Sequence, residues 1–208
     1  MSVAKSAKRS YLSAAVREKA IVEAATAFFA EHGFEGQTRE LAKTMGITHS
    51  AIFRYFPTKE ALIDRVYEHV YLSRWNPTWN DLIVDRSMSL EARLTRFYIE
   101  YAERIFHYDW VRIFVFAGMR SVGITDRYLK VLRDNLIMPV CRELRSTGSR
   151  EPEGSDAPSV ADEEAVWGLH GQVFYMAIRE FIYNQTIPED RNSVISNHVR
   201  IFMAGIRA

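Results

Sequence analysis

Apolar side chains recur at helical spacing along most of the chain. In the first such stretch, from about residue 11 to residue 31, they share one helical face: Val16, Ala20, Ile21, Ala24 and Phe28. This spacing is typical of an amphipathic helix that buries one side. Gly33 follows, and glycine suits the left-handed position just past a helix end. The stretch therefore predicts a helix that ends near residue 32.

Apolar residues at the same helical spacing continue to the other end of the chain. They predict helices over about 38–45, 48–56, 59–75, 90–105, 128–144, 162–183 and 189–206. The β-branched and aromatic run 111–116 has strand propensity, but no other segment offers it a partner strand, which favours a helix. Pro139 is expected to kink the helix that contains it. The pattern predicts an all-α fold with about nine helices.

Charge and composition narrow the class of protein. The formal net charge is +1, but residues 1–60 contain nine Lys or Arg residues against six Asp or Glu residues. A basic N-terminal segment followed by a slightly acidic remainder suggests that the N-terminal segment binds a polyanion. The single Cys141 excludes a disulfide framework and fits a reducing compartment. Since no apolar run approaches the ~18 residues of a membrane span, we expect a cytoplasmic protein without membrane contact.

Motifs for catalysis are missing from the sequence. We find no phosphate-binding loop, no nucleophile elbow and no paired catalytic carboxylates. His107, His170 and the other histidines lack the spacing of metal ligands. We therefore expect a protein that is not an enzyme and that holds neither a cofactor nor a metal.

The stretch 38–56, TRELAKTMGITHSAIFRYF, has the spacing of a helix-turn-helix. Ala42 is small enough for two short helices to cross closely, and Gly46, four residues later, tolerates the positive φ of a tight turn. Ile47 and Ile52 can then fix the second helix onto the first. Thr48 and Thr58 are expected to cap the helices that follow them, as is Thr38. The second helix would expose its opposite face to a DNA major groove.

Candidate DNA contacts lie on that outward face and beside it. The start of the second helix usually reaches base edges and phosphates, an arginine can grip guanine or phosphate, and a hydroxyl or lysine can bind the DNA backbone. The candidates are Thr38, Arg39, Thr48, His49, Ser50, Arg54, Tyr55 and Lys59. The alternatives are that His49 is an idle surface residue, that Tyr55 packs inward and that Lys59 is merely solvated.

Residues Glu18–Val70 resemble the DNA-binding module of the tetracycline-repressor (TetR) family. The resemblance is carried by AATAFFAEHGFEG, LAKTMGI and THSAIFRYFPTKEALIDRVY. It implies a homodimer with a small N-terminal DNA-binding domain and a larger helical ligand-binding domain. It also implies that the last two helices pair across the dimer, and that a small molecule of unknown identity releases the protein from operator DNA.

The sequence departs from the family pattern at two places. The segment between Phe34 and Leu41 is one residue shorter than usual, which affects the start of the helix predicted over about 38–45. Phe53 stands where the family commonly has tyrosine, so a phosphate-binding hydroxyl is missing there. We expect DNA binding to survive both changes, and we predict a ligand-responsive transcriptional repressor that binds a palindromic operator as a homodimer. The alternative is a helical, small-molecule-binding dimer with weakened or lost DNA binding.

The expected organisation follows from the motif and the resemblance. We predict a flexible basic arm over 1–10, which either contacts DNA or only aids solubility, and a helix-turn-helix domain over 11–57. A connecting helix over 58–75 leads to a ligand-binding and dimerisation domain over 76–208, which includes a flexible Gly-, Ser- and Pro-rich loop at 146–161. A ligand in the body is expected to move the connecting helix and so change the spacing of the two recognition helices.

The body is rich in aromatic residues, most of which must form core. A pocket needs apolar walls and a few placed polar groups. The candidate ligand-binding residues are Phe97, Tyr101, Arg104, His107, Phe114, Arg120, Phe174 and Arg179. The arginines would meet an acidic ligand or pair with glutamates on the surface.

Small residues mark a candidate dimer seam on the helix over 162–183. Glycine inside a helix costs about 1 kcal/mol, which a close approach of two helices would offset. The candidate interface residues are Ala165, Gly168, Gly171, Val173 and Met176. A buried contact within one chain is the alternative.

Overall fold

The computed structural model describes residues 13–120, 122–146 and 158–206. Within these ranges the chain forms eleven α-helices, one 3-10 helix and one π-helical turn, and no strand. The predicted all-α fold is confirmed. The predicted basic arm, 1–10, and most of the predicted loop, 146–161, lie outside the described residues.

The N-terminal part contains α1 (Ala14–His32), α2 (Thr38–Thr44), α3 (His49–Phe53) and α4 (Lys59–Val70), followed by a 3-10 helix (Leu72–Arg74). Thr48 and Thr58 cap α3 and α4, since their side chains accept hydrogen bonds from the Ala51 and Ala61 amides. The cap predicted at Thr38 is wrong. Gln37 occupies the N-cap of α2, and Thr38 is the first helical residue.

The body contains α5 (Thr78–Val84), α6 (Leu90–Ile105), α7 (Tyr108–Arg120), α8 (Ile124–Leu132), α9 (Met138–Ser146), α10 (Val160–Phe181) and α11 (Arg191–Ile206). Helix α5 is an element that the pattern analysis missed. The segment 111–116 lies within α7 and is helical, as its lack of a partner strand indicates. Helix α10 packs against α6, α7, α9 and α11, and so lies at the centre of the body.

The predicted kink at Pro139 takes the form of a π-helical turn over Arg133–Ile137, which joins α8 to α9. Proline has no amide hydrogen to donate to the carbonyl four residues earlier, and its ring crowds that carbonyl. A widened turn just before it relieves both problems without ending the helix. One long predicted helix is therefore two α-helices in series.

Helix α7 joins the N-terminal part to the body. The Arg112 Nε donates a 2.6 Å hydrogen bond to the Ala30 carbonyl at the end of α1, and Tyr108 donates one to the Glu31 carboxylate. The carbonyls in the last turn of a helix lack partners within it, and a cation there also meets the negative end of the helix dipole. Gly33 has a φ of +66°, and a Cβ at this position would lie 3.4 Å from the Phe116 ring. The end of α1 is therefore tightly held by α7.

One arginine is buried in the body. Arg93 on α6 is 1% exposed, donates to the Ile83 carbonyl, and forms a 2.8 Å ion pair with Glu143 on α9. Arg86 binds the same carboxylate from the surface, at 2.9 Å. This cluster fixes α9 against α5 and α6.

We expect Arg93→Ala to lower the free energy of unfolding by about 3 kcal/mol, because it breaks a buried charge pair. Arg86→Ala, the control, removes an exposed partner of the same carboxylate and should cost less than about 1 kcal/mol. Urea unfolding followed by circular dichroism measures both. Equal losses of unfolding free energy in the two variants would show that burial does not determine how much each arginine contributes to stability.

Candidate functional site

The helix-turn-helix forms through the turn between α2 and α3. Gly46 has a φ of +64°, and the Ile47 amide donates to the Ala42 carbonyl at 3.0 Å. Ala42 and Ile52 are buried, and so is Leu41. A small residue at the crossing and a glycine in the turn therefore bring the two short helices together, as the spacing predicts.

Several predicted DNA contacts lie exposed on this motif. Thr48, Ser50 and Arg54 are exposed on α3 or at its ends, and Arg39 is exposed on α2. Tyr55 is half-buried and packs against the core. The surface that remains available to a polyanion thus combines hydroxyl donors with two guanidinium groups.

Two of the residues predicted to contact DNA are hydrogen-bonded to each other. The Thr38 hydroxyl and the His49 Nε2 are 2.9 Å apart, which links the start of α2 to the start of α3. The His49 ring also lies edge-on to Phe53, with ring centroids 4.7 Å apart. These contacts fix the orientation of His49, and its half-buried ring is part of the motif's structure.

Lys59 occupies a different place from the one expected for a phosphate contact. Its Nζ donates to the Phe34 carbonyl at 2.6 Å and to the Gly36 carbonyl at 3.0 Å. The side chain is half-buried and closes the loop between α1 and α2. The ammonium group therefore satisfies backbone carbonyls and does not extend from the exposed face of the motif.

A cavity of about 170 Å³ lies inside the body. Four helices form its wall, and most of the wall is aromatic. It is lined by Tyr101 of α6, Trp110 and Phe114 of α7, Tyr128, Leu129 and Leu132 of α8, and Trp167, His170, Gly171 and Phe174 of α10.

The structure brings only part of the predicted ligand set to this cavity. Tyr101, Phe114 and Phe174 line it, and Phe97 stacks behind Tyr101 with ring centroids 5.5 Å apart. These four aromatic residues therefore belong to one continuous cluster.

The four predicted basic residues do not line the cavity. Arg104 is exposed above the Trp79 ring, the exposed His107 ring lies 3.2 Å from the Glu103 carbonyl, and Arg120 forms an exposed ion pair with Glu35 at 3.0 Å. Arg179 is half-buried near the end of α10, away from the cavity wall. The expectation that these side chains would meet a ligand there needs correction, because their helices turn them toward the surface or another element.

Two residues that line the cavity have a buried side-chain nitrogen without a hydrogen-bond partner in the described chain. Among the described residues, the His170 Nδ1 and the Trp110 Nε1 have no hydrogen-bond partner. The Tyr128 hydroxyl donates a 3.2 Å hydrogen bond to the Tyr101 hydroxyl. Burial lowers the pKa of His170 to about 4, so its ring is neutral near pH 7. Burial also raises the pKa of both tyrosines, which stay protonated.

Several wall residues, His170 and Trp110 among them, are absent from the ligand-binding set predicted from the sequence. The spacing does place His170 on the apolar face of α10, four residues after Val166 and three before Val173. Among the described residues no group of three or more His, Cys, Asp or Glu side chains is arranged to hold a metal ion.

The predicted dimer residues lie on two different faces of α10. Gly168 and Gly171 are exposed, and a Cβ at either would meet no atom within 4 Å. Val173 and Met176 are buried within the described chain, at 0% and 4% exposure. Their assignment to a dimer seam needs correction, because their face of α10 packs into the body. Ala165 is half-buried between the two faces.

No helix in the described ranges combines the length and the apolar character needed to cross a membrane.

Comparisons with known proteins match the N-terminal part by sequence. Residues 21–66 match the family model described as bacterial regulatory proteins, tetR family. The HTH-type transcriptional repressor AcnR of Corynebacterium diphtheriae is 48% identical over 48 residues, which cover 23% of this chain and 25% of AcnR. The matched segment therefore spans about a quarter of that relative's length.

Solved structures match almost the whole chain. A TetR family transcriptional regulator from Pseudomonas syringae pv. tomato has a TM-score of 0.62 at 17% identity, over 91% of this chain and 95% of its own. The ketosteroid transcriptional regulator KstR2 of Mycobacterium tuberculosis has a TM-score of 0.59 at 18% identity, over 91% of this chain and 94% of its own. At these identities the likeness establishes a shared fold.

The buried histidine predicts a dependence of stability on pH. Unfolding restores the ordinary pKa of His170, near 6.5, so between about pH 6.5 and about pH 4 the unfolded chain binds a proton that the folded chain does not. Stability contributed by the neutral ring is therefore lost as the pH falls through this window. We expect acidification from about pH 7 to about pH 5 to destabilise the wild type by about 2 kcal/mol more than His170→Phe.

Urea unfolding of both proteins at the two pH values measures this difference. An equal loss in the wild type and the variant would show that His170 titrates normally in the folded protein.

Proposed function

We propose that the chain is a regulator of the tetR family, a DNA-binding transcriptional repressor that acts as a homodimer and is released by a small molecule; the match of residues 21–66 to the family model supports this proposal. Proteins of this family are transcriptional regulators and not enzymes. The observation that carries the proposal is the exposed face of α3, where Arg54 lies in solvent together with the hydroxyls of Thr48 and Ser50, which are 3.1 Å apart.

In this proposal α3 is the recognition helix. Its buried side is fixed by Ile52, so its exposed side enters a major groove while Arg39 on α2 approaches the phosphates. Arg54 is suited to a bidentate contact with guanine or to a phosphate. The two-fold axis of a homodimer requires a palindromic operator whose half-sites lie one or more helical turns apart.

The exposed faces of α10 and α11 support the homodimer. The two helices pack against each other, and each leaves small and apolar side chains in solvent. Tyr175 on α10 is 53% exposed and Ile201 on α11 is 52% exposed, beside Gly168 and Ala204. Small residues let a second pair of helices approach closely, and exposed apolar residues give that approach its driving force.

Two helices connect the cavity to the DNA-binding domain. The Tyr71 hydroxyl at the end of α4 donates to the Trp110 carbonyl at 3.1 Å. On α7, Trp110 and Phe114 face the cavity, while Arg112 on the opposite face holds the end of α1. A ligand that binds one arrangement of these helices better than the other shifts the position of α3, and so its fit to DNA.

We expect Arg54→Ala to weaken binding of the DNA upstream of the encoding gene by about tenfold or more, since it removes a charged groove contact. Lys130→Ala on α8, the control, removes an exposed cation of the body and should leave affinity unchanged. Fluorescence anisotropy at two salt concentrations gives both the affinities and their salt dependence.

Wild-type affinity in Arg54→Ala would remove α3 as the recognition helix. A wild-type protein that binds no DNA at all would favour the alternative of a helical ligand-binding dimer.

The dimer proposal predicts that Gly168→Glu converts a dimer to a monomer, because it places two like charges on the two-fold interface. Val84→Glu, the control, puts the same charge on an exposed apolar site of α5 and should leave the dimer intact. Sedimentation velocity measures the mass of each protein. A wild-type monomer, or a Gly168→Glu variant that remains a dimer, would contradict the proposed interface.

A further inference from the structure

We propose that the interior cavity takes a compact, uncharged aromatic molecule that carries a hydroxyl group. The inference deepens the proposed function, on which it rests only in treating this cavity as the effector site. It is carried by the size of the cavity, the aromatic character of its wall and the two polar atoms left unpaired there.

The size limits the ligand to about one substituted six-membered ring. The cavity measures about 170 Å³. A cavity of about 150 Å³ in another protein holds one benzene molecule, which sets the scale. A fused steroid or a long acyl chain would require the helices around this cavity to move apart.

The wall favours a flat aromatic ring. The ring centroid of Trp110 lies 5.3 Å from that of Phe114 and 5.0 Å from that of Tyr128. The Phe114 and Phe174 rings meet edge to face, with centroids 5.4 Å apart. Rings at these distances present both faces and edges, the two surfaces that an added aromatic ring prefers to contact.

The wall excludes a charged ligand. None of the described residues that line the cavity is Lys, Arg, Asp or Glu. An ion without a partner in such a site loses its hydration and gains nothing in return. The structure therefore argues against the acidic ligand that arginines on the body had suggested.

The unpaired polar atoms favour a hydroxyl group. His170 is 6% exposed and its Nδ1 has no partner among the described residues, and the same holds for the Nε1 of the buried Trp110. A buried polar atom without a partner costs about 1–3 kcal/mol, which a ligand can recover by binding it. A hydroxyl both donates and accepts, so it pairs with either tautomer of His170 and also with the Trp110 donor.

The cavity reaches solvent beside α8. Leu129 of its wall is 37% exposed and lies on α8, not on the face of α10 that is proposed for the dimer. This side of the wall gives a small molecule a route inward without unfolding of the body.

Four probes that share the same ring distinguish the chemical classes of ligand that the cavity could bind. They are p-cresol, which is neutral with a hydroxyl, p-xylene, which has no polar group, 4-methylbenzoate, an anion, and 4-methylbenzylammonium, a cation. Isothermal titration calorimetry on the full chain should show p-cresol binding about tenfold more tightly than p-xylene, the equivalent of one hydrogen bond. The two ions should bind at least about a hundredfold more weakly than p-cresol.

A matched pair of variants identifies the partner of the hydroxyl. His170→Phe keeps a ring in the wall but removes its nitrogen atoms, so p-cresol affinity should fall to that of p-xylene, whose own affinity stays unchanged. Tyr98→Phe is the control, since it removes another buried hydroxyl without a partner in the described chain. The Tyr98 and His170 ring centroids are 6.1 Å apart, and Tyr98 does not line the cavity. Affinity for p-cresol should be unchanged in this control. If His170→Phe does not fold, the comparison of the four probes on the wild type still tests the proposed ligand class.

Binding of 4-methylbenzoate as tight as that of p-cresol, or no binding of any probe, would overturn the inference. Operator binding by the same preparation separates this failure from that of the proposed function. A protein that binds DNA but no probe would refute the ligand class alone, whereas one that binds p-cresol but no DNA would refute the repressor alone.

Discussion

The structure depends on the position of α7 between the helix-turn-helix part of the chain and the cavity. Side chains four residues apart share one face of a helix, so Trp110 and Phe114 form part of the cavity wall while Arg112 and Phe116 meet α1 from the other side. The bond from Arg112 to the Ala30 carbonyl satisfies a helix end that has no other donor within α1. The same helix therefore contacts both the end of α1 and the cavity, which is the structural basis of the proposed coupling between them.

The cavity wall costs the fold some stability. Aromatic rings bury large surfaces, but they leave His170 and Trp110 with polar atoms that have no partner among the described residues. A leucine at either position would avoid that cost. Functional sites commonly break a rule of stable packing that the rest of the chain obeys. In the proposed function, a ligand that supplies the missing hydrogen bonds stabilises one arrangement of the helices over others.

Local features could be predicted from the sequence, whereas the positions of side chains across helices could not. Gly46 and Ile52 act within a few residues of each other, so their spacing alone predicts the helix-turn-helix. Helix α5 was missed because Asn76-Pro77 marks the end of one helix, but Pro77 also suits the start of the next, where its absent amide hydrogen is not needed.

The positions of the other predicted site residues depend on contact partners that are distant in the sequence. Lys59 is bound by the carbonyls of a loop more than twenty residues earlier. His170 meets rings from α6, and no spacing within α10 reveals that arrangement. The face of a helix that turns to solvent likewise depends on the whole body, which is why Val173 was assigned to an interface and lies in the core.

The central claim is that the cavity and the recognition helix are coupled. Coupling is reciprocal, so a ligand that weakens DNA binding must itself bind more weakly to the DNA-bound protein, and by the same factor. The direct measurement is p-cresol affinity by calorimetry, without operator DNA and with saturating operator DNA. The account predicts a p-cresol affinity that is about fivefold or more weaker on the DNA complex, the lower end of typical allosteric coupling. Equal p-cresol affinities in the two titrations would contradict it.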